Sequence, residues 1–100
     1  MEIGKYCVVK SFAGRDIGRF FIVMDFEGED FVLLVDGKLR KIAKPKRKKK
    51  KHIKFQCKLE DERLLKKLEN GEKITDSEIR KALSKLTQTG SEQEDGLGGI

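Results

Sequence analysis

Residues 3–59 hold five short runs of strand-forming residues separated by turn residues, and no fold of long helices can accommodate them. The first, I-G-K-Y-C-V-V-K, covers residues 3–10. The second, R-F-F-I-V-M-D-F over 19–26, is aromatic and β-branched with little polar alternation, which predicts a central, strongly curved strand. F-V-L-L-V follows at 31–35 after the turn Glu27-Gly28-Glu29-Asp30. Asp36-Gly37 is a hairpin signal, so residues 38–43 are expected to return as a fourth strand that Pro45 ends. In 53–59, Ile53, Phe55, Cys57 and Leu59 alternate with polar residues, the pattern of a half-buried strand. Five such strands predict a small closed β-barrel, because closure removes exposed edges.

The period changes after residue 59. Leu64, Leu65 and Leu68 are spaced for a helix starting near Glu60, and Asn70-Gly71 is a stop signal. Thr75-Asp76-Ser77-Glu78 matches a capping box, with Ile74 and Ile79 at the positions of a hydrophobic staple. Ile79, Ala82, Leu83 and Leu86 form one stripe of a helix over about 76–87. The expected fold class is mainly β with C-terminal helices (α+β). It divides into a barrel at 1–58 with a basic loop at 44–52, a helical hairpin at 59–88 and a disordered acidic tail at 89–100. The hairpin's stripe is expected to dock on the barrel, with presentation to a partner as the alternative.

Charge is concentrated in the first part. Lys38 to Lys54 reads K-L-R-K-I-A-K-P-K-R-K-K-K-K-H-I-K, with eleven Lys or Arg in seventeen positions and no acid. Residues 1–58 carry 16 basic and 7 acidic side chains, a net of +9, and residues 59–100 carry 7 and 10, a net of −3. A single-sign run this dense repels itself and is best matched by a polyanion, nucleic acid first, whose binding is driven largely by counterion release. A solvated, disordered run or a nuclear address is the alternative. The lysine loop is expected to order only with its ligand.

An enzyme is the class least expected. The one histidine, His52, lies inside the lysine run without a nearby carboxylate to orient it, and suits phosphate contact better than catalysis. Cys7 and Cys57 have no C-x-x-C spacing and with His52 give at most three metal ligands, so no metal and no cofactor are expected. Both cysteines fit buried small hydrophobes. Asp16, Asp25, Glu27, Glu29, Asp30 and Asp36 are scattered over turns and strand ends, as solubility requires. The longest apolar runs are five residues against the roughly twenty of a membrane helix, and no signal-peptide pattern is present. No membrane association is therefore expected, and two cysteines fifty positions apart make no disulfide framework, so a reducing cytoplasm is the expected location; no small-molecule substrate is expected.

The most informative local motif is V-V-K-S-F-A-G-R-D-I-G-R at 8–19. Gly14 and Gly18 permit a tight loop and close backbone approach, while Lys10, Arg15 and Arg19 surround it with cations suited to phosphate or to stacking on a base. An ordinary hairpin loop with solvated charges is the alternative. The order of strand, A-G-R-D-I-G-R loop, F-F-I-V-M-D strand, turn, and V-L-L-V-D-G-K-L-R-K resembles the KOW motif of large-subunit ribosomal proteins and transcription-elongation factors. Residues 3–57 resemble the compact KOW ribosomal proteins of the archaeal/eukaryotic type, and small bacterial KOW-domain RNA-binding proteins share the layout.

The resemblance implies an SH3-like barrel that binds RNA, often ribosomal RNA, with loop contacts at Lys10, Gly14, Arg15, Gly18 and Arg19. Charge alone adds Lys38, Arg40, Lys41, Lys44, Lys46, Arg47, Lys48, Lys49, Lys50, Lys51, His52 and Lys54. The expected function is non-enzymatic RNA binding linked to the ribosome and translation. RNA is the main partner and ribosomal subunit proteins are further contacts. The alternatives are a protein-interaction adaptor using the barrel and the C-terminal helices, and a DNA-binding or transcription-linked KOW protein.

Overall fold

The computed structural model describes residues 3–86, which form a small α+β fold: a five-stranded antiparallel sheet followed by two helices. The strands are β1 (Cys7–Ser11), β2 (Phe20–Glu27), β3 (Phe31–Val35), β4 (Lys46–Lys49) and β5 (Ile53–Lys58), in the order β4-β3-β2-β1-β5. The helices are α1 (Glu62–Glu69) and α2 (76–86). Single 3-10 turns lie at Gly14–Asp16 and Lys50–His52.

Several expectations are corrected. The first strand starts at Cys7, because Cys7 N–H closes a turn onto Gly4 O. Residues 38–43 are not a strand. The Asp36 carboxylate accepts the N–H groups of Lys38 and Arg40 at 2.8 and 2.9 Å, and Arg40 O accepts those of Asp36 and Gly37. A side-chain acceptor has taken the donors that a ladder would need. The fourth strand instead comes from the lysine run, just after Pro45, where the missing proline N–H falls outside the ladder. The basic loop at 44–52 is thus largely ordered as β4 and a 3-10 turn.

The sheet is also not a closed barrel, since β4 and β5 are both edges and no pairing joins them among the described residues. Lysine side chains on an edge strand deter pairing with another chain, so closure is not needed to protect β4.

Two register irregularities curl the sheet. One lies between Val23 and Asp25 where β2 meets β3, and one between Val8 and Val9 where β1 meets β5. The second explains why the alternation of β5 does not produce one buried face. Ile53 and Phe55 pack with Cys7, Val9, Phe21, Val23, Val32 and Leu34, whereas Cys57 and Leu59 join Val8, Ile22 and Val35 on the other side.

That second side is covered by the helices through Leu64, Leu68, Ile79, Ala82 and Leu83. Asp61 caps α1 by accepting Leu64 N–H at 3.1 Å. The helix stops in a Schellman arrangement: Gly71 N–H donates to Leu68 O, Glu72 N–H to Lys67 O, and Gly71 has φ 71°. At α2, Glu78 N–H donates to Thr75 Oγ1 (3.2 Å) while Thr75 N–H donates to Glu78 Oε1 (3.0 Å), a reciprocal capping box. The Lys67–Glu78 ion pair, at 2.8 Å, joins the two helices. The final residues of the expected hairpin, and the tail at 89–100, lie outside the described residues. Among the described residues no helix is long and apolar enough to cross a membrane.

Candidate nucleic-acid interface

Three segments meet around Asp16: the β1–β2 loop, the irregular segment 36–45, and the middle of the lysine-rich β4, whose far end reaches the β2–β3 turn where Lys50 N–H donates to Asp30 O at 2.8 Å. The β1–β2 loop is closed by Ser11 N–H donating to Arg19 O and Gly18 N–H donating to Ser11 O. Gly14 and Gly18 take φ 77° and 83°, a backbone that other residues rarely adopt. The intervening 3-10 turn points Asp16 inward, where its side chain is 5% exposed.

Asp16 is the hub. Arg40 donates from Nη2 to both of its oxygens at 3.3–3.4 Å, and Lys48 Nζ lies 3.9 Å away. Lys48 Nζ also donates to Ala13 O at 2.7 Å. One carboxylate therefore ties the loop to the 36–45 segment and to β4. Burial lowers the pKa of the Lys48 ammonium, and the nearby Asp16 charge opposes that shift. Asp36 is a second buried acid, holding its own turn and lying 3.9 Å from Arg19. Sequence reasoning assigned Asp16 and Asp36 to solubility, and the structure corrects this. The available signal for Asp16 was its place between two loop glycines.

The lysine strand has two sides. Its register sets Lys48 opposite Val32 and Lys46 opposite Leu34, both core residues, so these two lysines turn inward, Lys48 fully. Arg47 and Lys49 oppose Leu33 and Phe31 and turn outward. Arg47 lies 3.5 Å from the Phe31 ring centroid and pairs with Glu27, while Lys50 Nζ lies 4.7 Å from the Phe26 ring. Of the residues singled out from sequence, Lys48 is thus an internal tie rather than a surface cation, Arg40 is anchored on Asp16, and Arg19 and Arg47 have acidic neighbours.

The remaining residues stay at the surface. Gly14, Arg15, Gly18, Lys38, Lys41, Lys44, Lys49 and Lys51 are exposed on these three segments and the turn after β4, with Lys46, Lys50 and His52 half-buried beside them. Lys10 on β1 and Lys54 on β5 are exposed and are Cα partners across the ladder. The set is dense in cations, and its only buried acids, Asp16 and Asp36, are already engaged within the fold.

Two contributors were missed. Gly37, with φ 76°, lies so close to α2 that a Cβ there would collide with Asp76 O. Arg80 donates to Gly37 O at 2.7 Å, and Ile42 N–H donates to Asp76 Oδ1 at 2.8 Å, so α2 clamps the 36–45 segment. Phe12 and Ile17 are the other omission: two apolar residues of the glycine loop, 55% and 63% exposed. Among the described residues no cluster of His, Cys, Asp and Glu could hold a metal ion. No protein-family model matches the chain, and no curated protein matches it.

Proposed function

We propose that this protein is a non-enzymatic RNA-binding module of the KOW type, acting on ribosomal RNA or at the ribosome. The observation that carries this reading is the joining of the glycine loop, the 36–45 segment and the lysine strand at the Asp16 carboxylate. Asp16 ties them together from beneath while Arg15, Lys41, Lys44, Lys49 and Lys51 stay exposed. Such a surface meets a phosphate backbone with its positive charge already in place.

The strand order, and the 3-10 turn that leads from β4 directly into β5, fit an SH3-like barrel left open between those two strands. The adaptor reading is weaker. Of Ile79, Leu83 and Leu86, the residues it would present to a partner, the first two are buried in the core and Leu86 is partly buried against it.

The test is co-sedimentation of the intact chain with purified large and small ribosomal subunits. Salt is raised until a lysine-matched random polypeptide no longer pellets. Retention on one subunit supports a ribosomal site, and release from both along with the control overturns it. In a parallel titration with short RNA, engagement of about six phosphates gives a log K against log salt slope of about −4 to −5.

A further inference from the structure

We infer that Phe12 is a stacking platform for an unpaired RNA base, an inference that rests on the RNA-binding reading above. Phe12 directly follows β1, and its N–H donates to His52 O at 3.0 Å, so the β1–β5 ladder runs one residue beyond the Ser11–Ile53 pair. The backbone of Phe12 is thereby fixed, while its side chain is left largely in solvent at 55% exposure. A single exposed aromatic residue is ordinary on a protein surface. Its neighbours set this one apart.

Alternation along the strand puts Phe12 on the side of β1 that carries Lys10. The register sets Lys10 beside Phe20 on one neighbouring strand and beside Lys54 on the other. Lys10 Nζ lies 5.4 Å from the Phe20 ring centroid. Like charges placed directly opposite on neighbouring strands repel, and neither Lys10 nor Lys54 makes an ion pair among the described residues. An anion between them relieves that repulsion. Two residues of strand separate the lysine pair from the ring, about 7 Å, a distance that one nucleotide spans.

A ring two strand positions from a pair of lysines matches a base and its neighbouring phosphate. An apolar protein surface does not fit, because it would have to desolvate both lysines. A continuous duplex does not fit either, because its bases are stacked on one another and turned away from any ring outside. An unpaired nucleotide satisfies the ring and the lysine pair together.

The experiment uses the full chain with three probes: a short single-stranded RNA, an RNA duplex of equal length, and inorganic polyphosphate. Phe12→Trp introduces the only tryptophan of the chain at an exposed position. Its fluorescence is expected to be quenched by the single strand, and not by polyphosphate at equal occupancy. Phe12→Ala is expected to weaken single-strand binding about tenfold, with the salt slope and duplex binding unchanged. Wild-type binding of the single strand without indole quenching, or an equal loss on all three probes, overturns the stacking role while leaving RNA binding in place. If the wild-type chain holds neither RNA more tightly than polyphosphate, the RNA-binding reading fails, and the stacking role fails with it.

Discussion

Asp16 and Lys48 lie 3.9 Å apart beneath the glycine loop, with 5% and 8% of their side chains exposed. The contact joins a loop near the start of the chain to a strand in the middle of the lysine run, and Arg40 shares the same carboxylate. Asp16→Asn leaves both cations facing a neutral amide. The expected loss in urea unfolding is about 2–4 kcal/mol, below that of a fully buried pair at its upper end because Arg40 is partly exposed. A change under about 0.5 kcal/mol would show that the carboxylate does not organise the segments around it.

Adjacent lysines are expected to behave oppositely. Lys48→Ala removes the hydrogen bond to Ala13 O and is expected to lower stability by about 1.5–3 kcal/mol. Lys49→Ala, on the exposed side of the same strand, is expected to change stability by less than about 0.5 kcal/mol and to flatten the salt slope of RNA binding by nearly one unit. Thermal melts and salt titrations of the two variants check both halves. Equal slope changes would place both side chains at the phosphates.

The join between α1 and α2 is expected to weaken in acid. Lys67, hydrogen-bonded at 2.8 Å, and the Thr75 N–H hold the Glu78 carboxyl below its ordinary value of 4.5. A depressed carboxylate contributes stability above its unfolded pKa and loses it as pH falls through the folded one. Stability is therefore expected to drop as the pH falls below 4.5, and Glu78→Gln is expected to show a shallower drop. Asp25, held low by the Phe26 N–H and by Lys5, keeps its own share in the variant. Identical acid profiles for wild type and Glu78→Gln would rule out the link.

Two glycine substitutions separate backbone strain from collision. Gly28→Ala, at φ 69° with open space around it, is expected to cost about 1–2 kcal/mol. Gly37→Ala adds the collision with Asp76 O and Arg80, and is expected to cost about 2–4 kcal/mol. Equal costs in urea unfolding would mean that α2 gives way there without strain.

The C-terminal half was legible because its signals are local. The Thr75–Glu78 box, the Asn70-Gly71 stop and the stripe at Ile79, Ala82 and Leu83 each depend on neighbours a few positions away. β2 and β3 were legible from their β-branched and aromatic residues. The lysine strand was not, because lysine has little strand preference, and its pairing with Phe31–Leu34 depends on the partner. The 38–43 error arose because Asp36-Gly37 signals a turn without saying whether the Asp36 carboxylate will take the next donors. Within the candidate site, the charge was plain in the sequence. Which lysine turns inward was not, because one ladder register decides it.

The lysine side chains of β4 also act as a guard. With one edge hydrogen-bonded to β3 and the other unpaired among the described residues, the strand offers a row of backbone groups for a second chain to pair with in an aggregate, and mutual repulsion keeps that chain away. A bound polyanion would cancel that repulsion. The surface proposed to bind RNA would thus be safest against clumping when polyanion is scarce, and most open to co-assembly when protein charge and phosphate charge are equal.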